Sequence, residues 1–355
     1  MKPSTTRNFS GVLLALLVIA IVGCVVHSRT TRSSDSALTT RLDESIAREV
    51  PIGFSGAVLI AKGDEILLNR GYGALRGVPM RADSRFWIAS AGKQFTSAAI
   101  LKCAERGLLN LEEPMSRFIP DAPADKRTIT VKQLLAHLSG LGQSYVSEGS
   151  TSRDDAVHRI LSEPLVDQPG NTFHYSNNNY QLAVAIVEIV SGNDYRDFLR
   201  RELLDPAGLH DTGFNATPGA KRVVPAREEM PTRLQRESWG GQGEYSTTRD
   251  LFRWYRILQA RSLLNEDSVR SLFTPVTPIH EGEAALGWFS GRSKAGTTRI
   301  FTRGNEDWGP NALLYAYPDD DVVIVILSHA GNTEHDVSWT RDLHAKLEDI
   351  LFHAE

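Results

Sequence analysis

Three hydrophobic patterns follow one another along the chain. The first is an unbroken apolar run from Gly11 to Val26, free of charge and preceded by Lys2 and Arg7. A positive stretch followed by an apolar core is the make-up of a secretion signal or a membrane anchor, so residues 1–26 are set apart from the fold. Residues 27–40 (HSRTTRSSDSALTT) are rich in Ser and Thr and predict a flexible tether. Leu42, Ile46 and Val50, spaced by four, then predict a helix. The runs Gly56–Ala61 and Glu65–Tyr72, joined by Lys62-Gly63-Asp64, predict a β-hairpin.

The second pattern is helical and holds from Ser90 to about residue 270. Phe95, Ala99, Cys103 and Leu108 continue one helix, which Gly107 can close. Thr130–His137, Tyr180–Val190 and Thr248–Leu258 predict three more. The third pattern returns to strands, at Leu286–Phe289, Thr298–Thr302, Ala312–Ala316 and Val322–Leu327, before a last helix at about 337–352. Strands at both ends with helices between them predict an α+β fold. One antiparallel sheet is assembled from N- and C-terminal segments (about 41–89 and 284–355), flanked by helices, with a mostly helical insertion at about 90–283.

Composition narrows the function. The 355 residues are 41% hydrophobic and 23% charged, an ordinary globular balance. Net charge is −4 with no long Lys/Arg run, so no nucleic-acid partner is expected. Two cysteines cannot make a disulfide framework, and the ten histidines show no metal-ligand spacing, so neither a metal nor a cofactor is expected. Ile21-Val22-Gly23-Cys24 resembles a bacterial lipobox, which would make Cys24 the lipidated N-terminus. Val25 and Val26 extend the apolar run and suit an uncleaved anchor instead. Both readings hold the globular domain, residues 41–355, outside the cytoplasm on a membrane, in the bacterial periplasm or at the outer surface.

The candidate chemistry centres on Phe86-Trp-Ile-Ala-Ser90-Ala-Gly-Lys93-Gln-Phe-Thr96. A serine hydroxyl is a poor nucleophile at neutral pH and needs a base or a charge beside it. Residues three apart share a helix face, so Ser90 and Lys93 can meet if a helix starts near Ser90. A helix N-terminus also offers unpaired N–H groups to a developing oxyanion. By itself the spacing means little, since a Ser-x-x-Lys arises roughly once by chance in such a chain. A capping serine and a solvated lysine would account for it.

Together with the hairpin before it, this segment resembles the beta-lactamase-related serine hydrolases. These comprise class C beta-lactamases, penicillin-binding D-Ala-D-Ala peptidases and related esterases and aminopeptidases. Three more stretches resemble that family in the expected order: Thr130–Leu141 (TVKQLLAHLSGL), Pro169–Asn177 (PGNTFHYSN) and Gly240–Leu251 (GGQGEYSTTRDL). The resemblance implies a beta-lactamase-like (DD-peptidase/transpeptidase-like) fold and an acyl-enzyme mechanism on a small-molecule or peptide substrate, cell-wall peptides among them. Ser90 would be the nucleophile, Lys93 the cation that helps remove its proton, and Tyr175 the general base and then acid. Asn177 would hold Lys93 and the substrate amide. A free tyrosine titrates near about 10, so that role requires an adjacent cation.

The third motif departs from the family's Lys-Thr-Gly or His-x-Gly. The matching stretch is Thr302-Arg303-Gly304, which moves the cation one place along. Neighbouring side chains on a strand face opposite ways. Either Thr302 faces the cleft and Arg303 lies outside it, in a salt bridge to Glu306 or Asp307, or the register shifts at Gly304 and Arg303 faces inward. Asn305 would follow with a backbone N–H as the second oxyanion donor. His137 reads as a structural hydrogen-bonder, His174 as pointing away from Tyr175, and Cys103 as a small core residue. Trp239, Trp288 and Trp308 read as core or cleft-lining aromatics. An alpha/beta-hydrolase elbow is disfavoured because Ile88 stands where it needs glycine. A catalytically silent binder of peptidoglycan or peptide is the competing class, supported by the altered third motif.

Overall fold

A computed structural model describes residues 36–352, apart from 148, 151, 215–242, 307, 308, 334 and 336. The leader, Cys24, Trp239 and Trp308 lie outside the described residues. Helix α1 covers residues 36–47. It therefore begins inside the segment expected to be a tether and stops before Val50, whose N–H bonds back to Ala47 in a closing turn. The hairpin β1 (Gly56–Lys62) and β2 (Glu65–Tyr72) forms as predicted, with Gly63 at φ +58° in its turn. A ribbon of β3 (Ala74–Leu75) and β4 (Val78–Pro79) leads to β5 (Phe86–Trp87). A 3-10 turn, Ala89–Gly92, then runs into α2 (Lys93–Glu105), with Gly107 at φ +70° closing the helix end.

The helical part continues with α3 (Val131–Leu135), α4 (Arg153–Ser162), α5 (Asn177–Ser191) and α6 (Tyr195–Leu199). A capping box starts α3: the Thr130 hydroxyl accepts from the Gln133 N–H, and the Gln133 side chain accepts from the Thr130 N–H. Strands β6 (Gly213–Phe214) and β7 (Glu244–Ser246) pair with β5 in a small three-stranded sheet, ordered β5-β7-β6. Then come α7 (Thr248–Gln259) and α8 (Glu266–Phe273). Neither α4 nor α8 was predicted. Both are short and carry acidic first turns, so their apolar stripe is brief.

The C-terminal strands are β8 (Thr277–Ile279), β9 (Gly282–Ala284), β10 (Phe289–Arg292), β11 (Thr298–Asn305), β12 (Asn311–Tyr317) and β13 (Val322–Ser328), followed by α9 (Trp339–Phe352). The strand predicted at Leu286–Phe289 starts only at Phe289. Gly287 bends the chain there with φ +76°, and a Cβ on it would come within 2.9 Å of the Lys93 carbonyl oxygen, so the bend lies against α2. Trp288, beside that bend, is a core residue.

The large sheet runs β2-β1-β13-β12-β11-β10-β9-β8 and every pairing in it is antiparallel. Strands β12 and β13 are buried at every position and apolar at all but Asn311 and Ser328, because both faces are covered. Ala57, Leu59, Leu314, Val325 and Leu327 face the helical core that includes Phe95 and Trp254. The alternate residues Val58, Ile60, Tyr315, Ile324 and Ile326 pack on Leu42, Ile46, Trp339 and Leu343 of α1 and α9. The α+β arrangement predicted from the chain ends is the one observed. Where β11 passes the Ala89–Gly92 turn, the sheet edge and the helical part meet.

Candidate active site

The local chain path puts Ser90 at that meeting point. Trp87 pairs with Tyr245, and the Ile88 N–H donates to the Glu244 carbonyl oxygen at 3.0 Å, so β7 anchors the chain just before the turn. Ala89 then takes φ +48°, a left-handed conformation that costs a non-glycine residue of order 1 kcal/mol. The 3-10 turn and the first turn of α2 bring Lys93 back to the serine: its Nζ donates to Ser90 Oγ at 3.0 Å and to Asn177 Oδ1 at 2.8 Å. The Tyr175 hydroxyl donates to Ser90 Oγ at 2.6 Å. Lys93 is buried, and its ammonium lies 5.1 Å from the Tyr175 ring centroid and 5.5 Å from that of Tyr180.

Tyr175 and Asn177 are held by the start of α5. The Asn177 N–H donates to Gln143 Oε1 at 2.7 Å, and the Ser176 N–H to His137 Nδ1 at 3.1 Å. Burial, helped by the Lys93 charge, drives the His137 pKa well below its ordinary value. The imidazole stays neutral as an acceptor, packed 4.5 Å from the Tyr175 ring. His174 turns away to Asp167 Oδ2 at 3.1 Å. Tyr180 donates to the Leu135 carbonyl, and burial raises its pKa, so it is a neutral wall of the site.

The third motif keeps strict alternation. A Cβ on Gly304 would lie 2.2 Å from the Ile88 carbonyl oxygen and 2.8 Å from the Ser90 nitrogen, so Gly304 faces the serine turn. Thr302, two residues earlier and 1% exposed, shares that face. Arg303 points the other way, with its guanidinium 5.7 Å from the Phe301 ring and paired to Glu281. The register does not shift, and Arg303 lies on the far side of the strand from Ser90. Its partner is Glu281 rather than the expected Glu306 or Asp307 (the latter outside the described residues). Glu281 also accepts from Arg341 of α9 at 2.7 Å.

The backbone of the same strand is directed at the cleft. The Glu306 N–H donates to the Pro310 carbonyl and the Ser293 N–H to the Thr297 carbonyl. With the registers 304↔312 and 301↔289, these bonds fix the phase of the ladder: even-numbered residues of β11 bond to β12 and odd-numbered ones face β10. Because β10 ends opposite Phe301, the backbone groups of Arg303 and Asn305 face an open edge. The Asn305 side chain itself accepts from Asn311 Nδ2 at 2.6 Å. A cavity of about 1040 Å³ opens here; Ser90, Tyr175, Asn177, Gly304 and Asn305 line it, and Arg303 with Arg341 line its part toward α9.

Three contributors escaped the sequence reading. Gln143 and Glu281 carried no local signal, since their partners are distant in the chain. Glu244 carried one: a carboxylate inside the strand-like stretch Gly243–Ser246. It is fully buried beside Gly92, where a Cβ would sit 2.4 Å from its Oε2, and among the described residues neither of its oxygens has a hydrogen-bond partner on another residue. Burial pushes its pKa up to about 7, against the pull of the Lys93 and Arg196 charges.

A family model described as Beta-lactamase matches residues 47–347. A penicillin-binding protein of Bacillus subtilis is 28% identical over 334 residues, covering 84% of this chain and 72% of that protein. Protein flp of Staphylococcus aureus is 27% identical over 330 residues, covering 86% of this chain and 65% of its own length. Among solved structures, a penicillin-binding protein homologue from Pyrococcus abyssi, described as octameric, superposes with a TM-score of 0.77 at 19% identity, covering 90% of this chain and 77% of that one. A D-amino acid amidase from Ochrobactrum anthropi gives a TM-score of 0.77 at 19% identity, with coverage of 89% and 98%. These likenesses identify the fold.

Proposed function

This chain belongs to the beta-lactamase family, and from that premise we propose that it is a serine hydrolase that cleaves an amide or ester through an acyl-enzyme, held outside the cytoplasm at a membrane by its N-terminal segment. One observation carries the reading: Ser90 Oγ accepts hydrogen bonds from both Tyr175 and Lys93, at 2.6 and 3.0 Å. A hydroxyl so placed can pass its proton to a tyrosine oxygen while the lysine charge steadies the anion that forms.

In the proposed cycle the Tyr175–Lys93 pair first loses one proton to solvent, and Ser90 Oγ then attacks the substrate carbonyl carbon as its own proton passes to the Tyr175 oxygen. The carbonyl oxygen takes up negative charge between the Ser90 and Asn305 N–H groups. Collapse of this intermediate breaks the bond to the leaving group, and Tyr175 returns the proton to the departing nitrogen or oxygen. Water attacks the acyl-enzyme in the second half, with Tyr175 taking its proton and Ser90 recovering one. Asn177 fixes Lys93 and offers its side-chain amide to the substrate. Arg303 and Asn305 present free-edge backbone groups along which an extended peptide can lie.

Thr302 bears on the substrate. On the inner face, where related enzymes carry a lysine or histidine, a neutral hydroxyl suits an ester or an amide without a charged carboxylate beside the scissile bond. A D-Ala-D-Ala-type peptide and a beta-lactam would then be poorer substrates. A weak or silent penicillin-binding-like protein that holds peptidoglycan or a peptide is the competing reading, which the same Thr302 supports. Fluorophosphonate and fluorescent penicillin separate the two. The enzyme should be labelled covalently by the fluorophosphonate, and Ser90→Ala should abolish labelling. Folded wild-type protein that takes no label refutes the hydrolase reading, and undiminished labelling of Ser90→Ala refutes Ser90 as nucleophile.

A further inference from the structure

Arg303 leaves the Ser90 face of β11 and meets Arg341, from the first turn of α9, across one carboxylate. That carboxylate is Glu281, in the turn between β8 and β9. Its Oε2 accepts from Arg303 Nη1, and its Oε1 accepts from Arg341 Nη2 at 2.7 Å. Arg299 alternates onto the same face of β11, its guanidinium 5.0 Å from the Tyr315 ring and 5.3 Å from that of Phe301. A Cβ on Gly291 would lie 3.6 Å from Arg299 Nη2 and 3.0 Å from the Glu281 carbonyl oxygen, so three guanidiniums gather about a single carboxylate. Burial opposes the charge on Glu281, but the bond to Arg303 and the charges of Arg303, Arg341 and Arg299 outweigh it and hold its pKa below the ordinary value.

Glu281, Arg303 and Arg341 all line the cavity that holds Ser90. Glu281 and Arg303 are half-buried and Arg341 is exposed, so these pairs are of the partly solvated kind that adds about 1 kcal/mol or less to stability. Their larger consequence is for what can enter. An extended substrate on the free edge of β11 places the side chain opposite Arg303 on the Arg303 face. There it meets two guanidiniums whose shared carboxylate place is already filled. Resting on the serine-hydrolase reading above, we propose that Glu281 is a specificity-determining residue: as a built-in carboxylate it occupies the place between Arg303 and Arg341 that an acidic group of the substrate would take, and so confines the enzyme to substrates neutral along this part of the cleft. Among the described lining residues the only arginine or lysine side chains are those of Arg303 and Arg341, so an acidic group finds no alternative cation in the cavity wall. The cavity's other carboxylate, Glu306, continues the even-numbered phase of β11, which puts it on the Gly304 side. An acidic group displaced from Arg303 therefore meets like charge on either face.

The test is kcat/KM, relative to spontaneous hydrolysis, for two matched pairs of esters on the full chain in detergent. Mono-p-nitrophenyl adipate and its methyl ester differ in charge on the acyl side; m-carboxyphenyl acetate and its methyl ester differ on the leaving side. In Glu281→Gln the anionic-to-neutral ratio should rise about 10-fold over wild type in at least one pair, because two guanidiniums lose their resident partner and a like charge is removed. Adding Arg341→Gln should cancel the rise, a reversal that a merely structural role for Glu281 would not give. A ratio unchanged in both pairs, or a rise that survives Arg341→Gln undiminished, overturns the inference. If Glu281→Gln does not fold, the wild type decides. The neutral ester should be the better substrate in both pairs, by a margin that narrows in about 0.5 M NaCl, and preference for the anionic member of either pair overturns the inference. Wild-type protein that is not acylated by a fluorophosphonate removes the hydrolase reading itself, a separate outcome.

Discussion

Gly304→Ala tests whether the seam between β11 and the serine turn builds the oxyanion site. The new methyl carbon would stand 2.2 Å from the Ile88 carbonyl oxygen and 2.8 Å from both Ala89 Cβ and the Ser90 nitrogen. Carbon and oxygen normally approach no closer than about 3.3 Å, so the two segments must part by about 1 Å. Neither can yield locally. Ile88 is tied to the Glu244 carbonyl by its N–H, and Gly304 lies in the β11–β12 ladder opposite Ala312. The displacement therefore carries the Asn305 N–H away from Ser90. A misplacement of about 1 Å costs on the order of 100-fold in rate, and loss of one oxyanion donor costs about 100- to 1,000-fold. Overpacking should also lower stability by about 1–3 kcal/mol, read as an earlier urea midpoint. Acylation by a fluorophosphonate and turnover of a p-nitrophenyl ester, measured on folded variant, give the outcome. Rates close to wild type would show that the seam does not shape the reacting centre.

Tyr175→Phe deletes the hydroxyl that donates to Ser90 Oγ and leaves the ring against His137. Turnover of a p-nitrophenyl ester should fall by about 100- to 10,000-fold with the urea midpoint little changed; near-normal turnover would remove Tyr175 from the mechanism. Glu244 also makes stability depend on pH. Its pKa is raised from an ordinary 4.5 to about 7, so between those values the folded state binds more protons than the unfolded one and stability falls as pH rises. Measured as the difference between wild type and Glu244→Gln, that loss should approach about 3 kcal/mol between pH 4.5 and 7.5. A difference that stays flat across that range would show that Glu244 is not titrating inside the fold.

What was legible in the sequence is what local periodicity enforces. Strands β12 and β13 read clearly because both their faces are buried, and α5 because eleven of its fifteen residues, Asn177 to Ser191, are buried. The polar helices α4 and α8 were missed, and β10 was placed three residues early, because Gly287 interrupts an apolar run that otherwise looks continuous. At the site, motif order was enough to bring Ser90, Lys93, Tyr175 and Asn177 forward. It could not decide between the two faces for Arg303. Alternation along β11 was certain, but its parity is fixed by Gly304 meeting Ser90 from a distant part of the chain.

Thr302, the departure from the family pattern in the third motif, bears on the charge at the site. With a neutral side chain at the inner place of the third motif, in the proposed cycle Lys93 would steady the anion at Ser90 without a second cation from that position. A neutral substrate is consistent with such a site, since it brings no carboxylate that needs a cation of its own.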